Sequence, residues 1–161
     1  MKRKKFKIIK FKLSNKDIIT LHSYKTNEII ANTPPETQIM GLFGLSYGII
    51  KVDKLFYRFS KKEQEAIIYH ELWHKKKNIF FELSKVFSCI WIKNPFSFDN
   101  EVAKLQEFEA DLYAAIRFNK IITLNVIRKI RKMQKTGEVP IDLKRHPPIE
   151  ERIKRIENLK L

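Results

Sequence analysis

The chain has 161 residues, 43% of them hydrophobic and 12 of them Phe, so it can bury a core of its own and is not a disordered polymer. Lys and Arg number 33 against 18 Asp and Glu, a net charge of +15, which favours anionic partners, although the lysines are spread along most of the chain and this argues against nucleic acid. A single cysteine, Cys89, excludes an intramolecular disulfide framework and a cysteine-based zinc cluster, and its neighbours Phe87, Ile90 and Trp91 read as a buried apolar setting.

In chain order, MKRKKFKIIKFKLS has a basic head, but Lys7, Lys10 and Lys12 interrupt any apolar run. It does not read as a signal peptide, and residues 1–16 read as a basic arm or strand. Apolar and lysine residues interleave from Lys5 to Leu13. Asp17–Ser23 and Asn27–Ala31 are Ile- and Thr-rich runs joined by YKTN, a hairpin pattern. NTPPET is a rigid loop, because Pro34 and Pro35 have no N–H to donate. QIMGLFGL and YGIIKVD read as two further strands, which makes the front of the chain a small antiparallel sheet.

The helical half starts at FSKKEQ, where Ser60 and Glu63 have the spacing of a capping box. The pattern predicts a helix from about Lys61 to Lys76, then an amphipathic segment from Ile79 to Ile92 broken by Pro95. Glu101–Phe118 follows, with Val102, Leu105, Phe108, Leu112 and Ile116 as an apolar stripe. A helix over about Thr123–Thr136 stops at Gly137, and Pro148 opens a last one whose Ile149, Ile153, Ile156 and Leu159 face one way. The predicted fold is α+β in one domain over residues 1–161: a small antiparallel sheet followed by a helical half. No run reaches the roughly 18 apolar residues of a spanning helix. The expectation is a soluble cytoplasmic protein, at most peripheral to a membrane.

Within the first helix, YHELWHKKK puts His70 and His74 one turn apart on one face, able to present two imidazoles to one ion. Glu71, offset from the pair, can reach a water on that ion and act as general base. The bland alternative is a pair of partly exposed helix histidines. A third ligand comes from LQEFEADLYAA, where Glu107 and Asp111 share a face with the small Ala103, Ala110 and Ala114. That face can lie close to the first helix and bring Glu107 to the metal. Asp111 then accepts from a ligand imidazole N–H. Two His and one Glu leave the fourth position open, as catalytic zinc requires.

HELWH followed by EFEAD resembles the gluzincin metallopeptidases, most closely the catalytic domains of the HtpX-type heat-shock proteases and the CAAX prenyl proteases. The BlaR-type sensor peptidases and the small soluble minigluzincins share much of the pattern. HPPIEERIKRI adds the His-Pro-Pro element with an Arg six residues after its His, and argues against the ImmA-type regulatory peptidases. The resemblance runs from about Gln38 to Leu159. It implies one Zn²⁺ per chain on His70, His74 and Glu107, with Glu71 as base and Asp111 orienting a ligand. It further implies that His146 and Arg152 hold the substrate or the developing oxyanion; the apolar stripe of the last helix puts Arg152 at its edge and points Arg155 elsewhere. Two departures stand out. Trp73 occupies a position that is usually Gly or Ala. Membrane-spanning relatives place helices between the two zinc motifs, where this chain has only Lys75–Gln106, rich in Phe.

The activity so implied is endopeptidase hydrolysis of peptides or unfolded proteins, the substrate pairing as a strand, with Gln38–Leu45 as the expected edge. Ile79–Phe98 reads as a hairpin sealing the core or a homodimer contact, ahead of a patch on lipid. Two alternatives come from other classes. One is a non-catalytic or latent zinc-containing sensor or scaffold. The other is a basic nucleic-acid-binding module using Arg128, Lys129, Arg131 and Lys132.

Overall fold

The computed structural model describes residues 6–24, 50–52, 54–88, 95–139, 141, 143 and 146–160. The YKTN connection beyond Tyr24, the expected strands at Asn27–Ala31 and Gln38–Leu45, the NTPPET loop and Cys89 lie outside them. The chain is α+β and divides into two compact units, Met1–Glu65 and Ala66–Leu161.

In the first unit, β1 (Phe6–Lys12) and β2 (Ile18–Tyr24) pair antiparallel, with Ile9 opposite Leu21 and Phe11 opposite Ile19. Alternation sends Phe11, Leu13 and Leu21 inward while Ile8, Lys10 and Ile18 face solvent. β3 (Ile50–Val52), inside the predicted YGIIKVD strand, joins the other edge of β2, but in parallel. A parallel neighbour needs a long crossover rather than a tight hairpin, and the chain between Tyr24 and Ile50 supplies the length. Phe56, in the 3-10 turn Phe56–Arg58, meets Phe11 edge-on with ring centroids 6.4 Å apart.

The turn between β1 and β2 is held by side chains. Asn15 Oδ1 accepts from the Asp17 N–H at 3.1 Å, and Lys16 takes the left-handed conformation at φ 74°. Glu65 is buried, and its Oε1 accepts from both the N–H and the hydroxyl of Ser14 at 2.6 Å. These bonds satisfy a carboxylate whose burial would otherwise be costly.

The capping box forms as the spacing predicts: Ser60 N–H donates to Glu63 Oε2 at 2.7 Å, and Glu63 N–H to Ser60 Oγ at 3.3 Å. α1 then runs unbroken over Lys61–Ser88, where the sequence pattern suggested two segments. No Pro or Gly interrupts it, and Lys75–Lys77 are good helix formers. Side chains beyond His74 in this helix lie outside the described residues, so the aromatic region Ile79–Phe98 has no described packing.

α2 (Pro95–Ala114) begins at Pro95 itself, which is suited to a first helical position because its missing N–H has no intrahelical partner. A π-turn, Ala115–Asn119, follows. The expected stripe on α2 is only partly right. Phe108 is buried, but Leu105 is 52% and Ile116 58% exposed. The face of Glu107, Ala110, Asp111 and Ala114, whose small residues suggested close approach to the first helix, is buried. Small side chains allow close approach there, and the two carboxylates find partners inside the second unit.

α3 (Lys120–Lys135) starts at Asn119, whose side chain accepts from the Ile122 N–H. It ends at Gly137, φ +73°, with Glu138 N–H returning to Met133 O. α4 (Ile149–Glu157) packs Ile153 and Ile156 with Ala115, Leu124 and Ile127, and Ile149 and Leu159 lie against the same cluster. Lys120 Nζ donates to the carbonyls of Glu157 and Leu159, so α3 caps the end of α4. Among the described residues no helix is long and apolar enough to cross a membrane.

Ser14→Ala is expected to lower stability by about 1.5 kcal/mol, the scale of a hydrogen bond to a charged acceptor. Urea denaturation checks this, and an unchanged midpoint would mean that the Ser14–Glu65 clamp does not contribute.

Candidate metal centre

α1, α2 and the segment leading into α4 bring the sequence-predicted residues together within the second unit. His70 and His74 lie one turn apart, with Nε2 atoms 3.1 Å from each other. Glu107 Oε1 is 3.2 Å from His74 Nε2, and its Oε2 is 3.6 Å from His70 Nε2. A tetrahedral site with metal–ligand bonds of about 2.0–2.1 Å has ligand-to-ligand edges of about 3.3 Å. The His70–His74 separation is close to such an edge, and one donor atom from each of the three residues falls within 4.8 Å of the others. Two neutral imidazoles and a carboxylate are a suitable donor set, so His70, His74 and Glu107 could hold a metal ion.

Asp111 determines how His70 is presented. Its Oδ1 lies 2.9 Å from His70 Nδ1. An ionised carboxylate only accepts, so Nδ1 carries the proton and Nε2 is left to face the centre. Arg152 reaches the same carboxylate with a fork: Nε to Oδ2 and Nη2 to Oδ1, both 2.7 Å. Its Nη1 is 3.4 Å from Glu107 Oε2, and His146 Nδ1 is 3.1 Å from that oxygen. Both C-terminal residues therefore stand in the site, with Arg152 directed at the two acidic side chains of α2. Arg155 lies apart, its guanidinium 3.7 Å from the Phe108 ring centroid. That contact makes Arg155 part of the packing beside Glu107, not an idle surface charge.

These partners decide the ionisation states. Burial alone would raise the Glu107 pKa, but the hydrogen bonds from His146 and His74, with the charges of His70 and Arg152, hold it well below the ordinary carboxylate value. For Asp111 burial is likewise overcome, by Arg152 first and then His70, and its pKa is lowered. Burial would depress His70, yet the bond to Asp111 and the charges of Glu107, Asp111 and Glu71 raise it. For Glu71 burial prevails over the nearby His70 and His74 and pushes the carboxyl up. Arg152 is raised because Asp111 and Glu107 outweigh its desolvation.

Trp73, the departure from the resembled pattern, meets the Tyr113 ring at 5.2 Å, while Tyr69 stacks on Phe118 at 5.6 Å. At 100° per residue Trp73 projects about 200° round the helix from Glu71, so it fills the aromatic contact between α1 and α2 on the side away from the base. On α3, Arg128 pairs with Glu157 and Arg131 with Glu150, each at 2.7 Å.

The aromatic stack and the fork from Arg152 are the features that sequence reasoning did not give. The Tyr and Phe positions were visible, but their pairing depends on how α1 and α2 cross. The chain matches no protein-family model, no curated protein and no solved structure.

A ligand imidazole must release its Nε2 proton to take up metal. The bond to Asp111 and the surrounding carboxylates favour the protonated His70 ring over the neutral one. Binding of an added divalent ion such as Zn²⁺ at His70 would therefore be expected to release protons near neutral pH. Asp111→Asn, which removes the main support of the charged ring, should reduce the release. Calorimetry in buffers of different ionisation enthalpy measures this, and identical release from both proteins would contradict the assigned role of Asp111.

Proposed function

We propose that this chain is a zinc-dependent endopeptidase of the gluzincin type, acting on peptides or unfolded proteins. The observation that carries the reading is the convergence of His70, His74 and Glu107 beside Glu71, with the His70 ring already oriented by Asp111. His70 Nε2, His74 Nε2 and the Glu107 carboxylate would hold the ion. When bound, zinc supplies Lewis acidity, acidifying water and polarising a carbonyl.

The remaining roles belong to side chains. Glu71 takes a proton from the attacking water on its carboxylate and delivers it to the leaving amine. Its raised pKa, due first to burial, moves it towards the range in which a general base both accepts and returns a proton near neutral pH. His146, 38% exposed and the more accessible of the two C-terminal residues, donates to the oxyanion. Arg152, 12% exposed, holds the carboxylates and helps to neutralise the site. Substrate enters as an extended strand; the edge expected for it, Gln38–Leu45, lies outside the described residues.

A latent or non-catalytic zinc protein is the second reading, favoured by His146 Nδ1 lying 3.1 Å from Glu107 Oε2, which gives that donor oxygen a protein partner. Nucleic-acid binding is disfavoured, since Arg128 and Arg131 of the basic helix are already paired with carboxylates.

Glu71→Gln should keep zinc and fold but lose peptidase activity on an unfolded protein by about 10²–10⁴-fold. Zinc content and cleavage rate are measured on the same preparation. Cleavage at the wild-type rate would refute the mechanism, whereas stoichiometric zinc without turnover by wild type would favour the latent reading.

A further inference from the structure

Arg152 connects the candidate metal centre to an element that contributes no ligand. α4 is held to α3 by contacts that do not touch the centre: Arg128–Glu157, Arg131–Glu150, the Lys120 cap and the Ile153–Ile156 cluster. From that helix Arg152 reaches α2, grips both oxygens of Asp111 and approaches Glu107. Asp111 in turn bonds the His70 ring.

We propose that Arg152 is a positioning residue through which docking of α4 and uptake of the metal ion form one coupled equilibrium, each strengthening the other. The proposal rests on the metal-site reading above and adds a means of regulating it. Anything that loosens α4 loosens the ion, and the ion fastens α4 in return.

Two opposite effects compete at Arg152. Counted as a bare charge, a guanidinium beside Glu107 repels a divalent cation, and its removal would tighten binding. Counted as a fork, it fixes the orientation of Asp111, hence of His70, and its removal would weaken binding. The geometry favours the second effect. Both close bonds go to Asp111, whose negative charge offsets the guanidinium, while Glu107 is farther away. What Arg152 gives the centre is therefore chiefly orientation, and outer partners of metal ligands typically contribute roughly 10–100-fold in affinity. Lysine separates the two effects, since it keeps the charge but has no planar fork.

The test uses the full chain and zinc itself. Zinc affinity is measured by chelator competition for wild type, Arg152→Lys and Arg152→Gln, and amide exchange across residues 149–157 is followed with and without zinc. Both variants should bind zinc roughly 10–100-fold more weakly. Zinc should slow exchange across α4 in wild type and do so less in the variants. Arg152→Lys binding like wild type while Arg152→Gln binds more tightly would reduce Arg152 to a charge and overturn the proposal. If wild type binds zinc without any change in α4 exchange, the metal site stands and this coupling falls. Failure of wild type to take up zinc defeats both. Should the variants not fold, the wild-type exchange comparison decides alone.

Discussion

One carboxylate, that of Asp111, is bonded at once to an imidazole and a guanidinium, and the order of the second unit depends on it. A buried acid is tolerable only when its charge is compensated and its lone pairs are filled. Here His70 and Arg152 do both, from helices on either side of α2 in the chain. The arrangement fixes which nitrogen of His70 is free and which face of α2 turns inward. It also explains why an apolar helix face is left partly in solvent while two acids are buried: the interior of this unit is organised around charge pairing as much as around aliphatic packing.

That arrangement was legible in the sequence only in part. Periodicity on α2 offered two candidate faces, one apolar and one of alanines with Glu107 and Asp111. The second was expected to approach the first helix and is buried, whereas the apolar stripe was expected to be buried along its length and leaves Leu105 and Ile116 exposed. The i, i+4 spacings of His70–His74 and Glu107–Asp111 were legible because a helix converts spacing into direction without any tertiary information. The target of Arg152 was not, since it follows only from how α4 docks.

The same division between local and distant information runs through the rest of the fold. Ser60–Glu63, Gly137 and Pro148 act on their immediate neighbours, and each marks a helix boundary near the expected position. The parallel placement of β3 depends on a crossover rather than a turn, and no dipeptide encodes that. Continuity of α1 past Lys76 was missed for a different reason. Polar and apolar residues change phase there, and a phase change resembles a boundary even though the backbone has no cause to break.

The cap that Lys120 places on the end of α4 has a temporal side. α4 spans only nine residues, and helices this short are marginal alone in water. It starts without a side-chain cap, and its end borrows one from α3. During synthesis α1 and α2 emerge first, so Glu107 and Asp111 exist before the cation that neutralises them. Without Arg152 in place, burial of those acids lacks one of its compensating charges. Because α4 follows α1 and α2 in the chain, Arg152 is the last of these interacting groups to be synthesised.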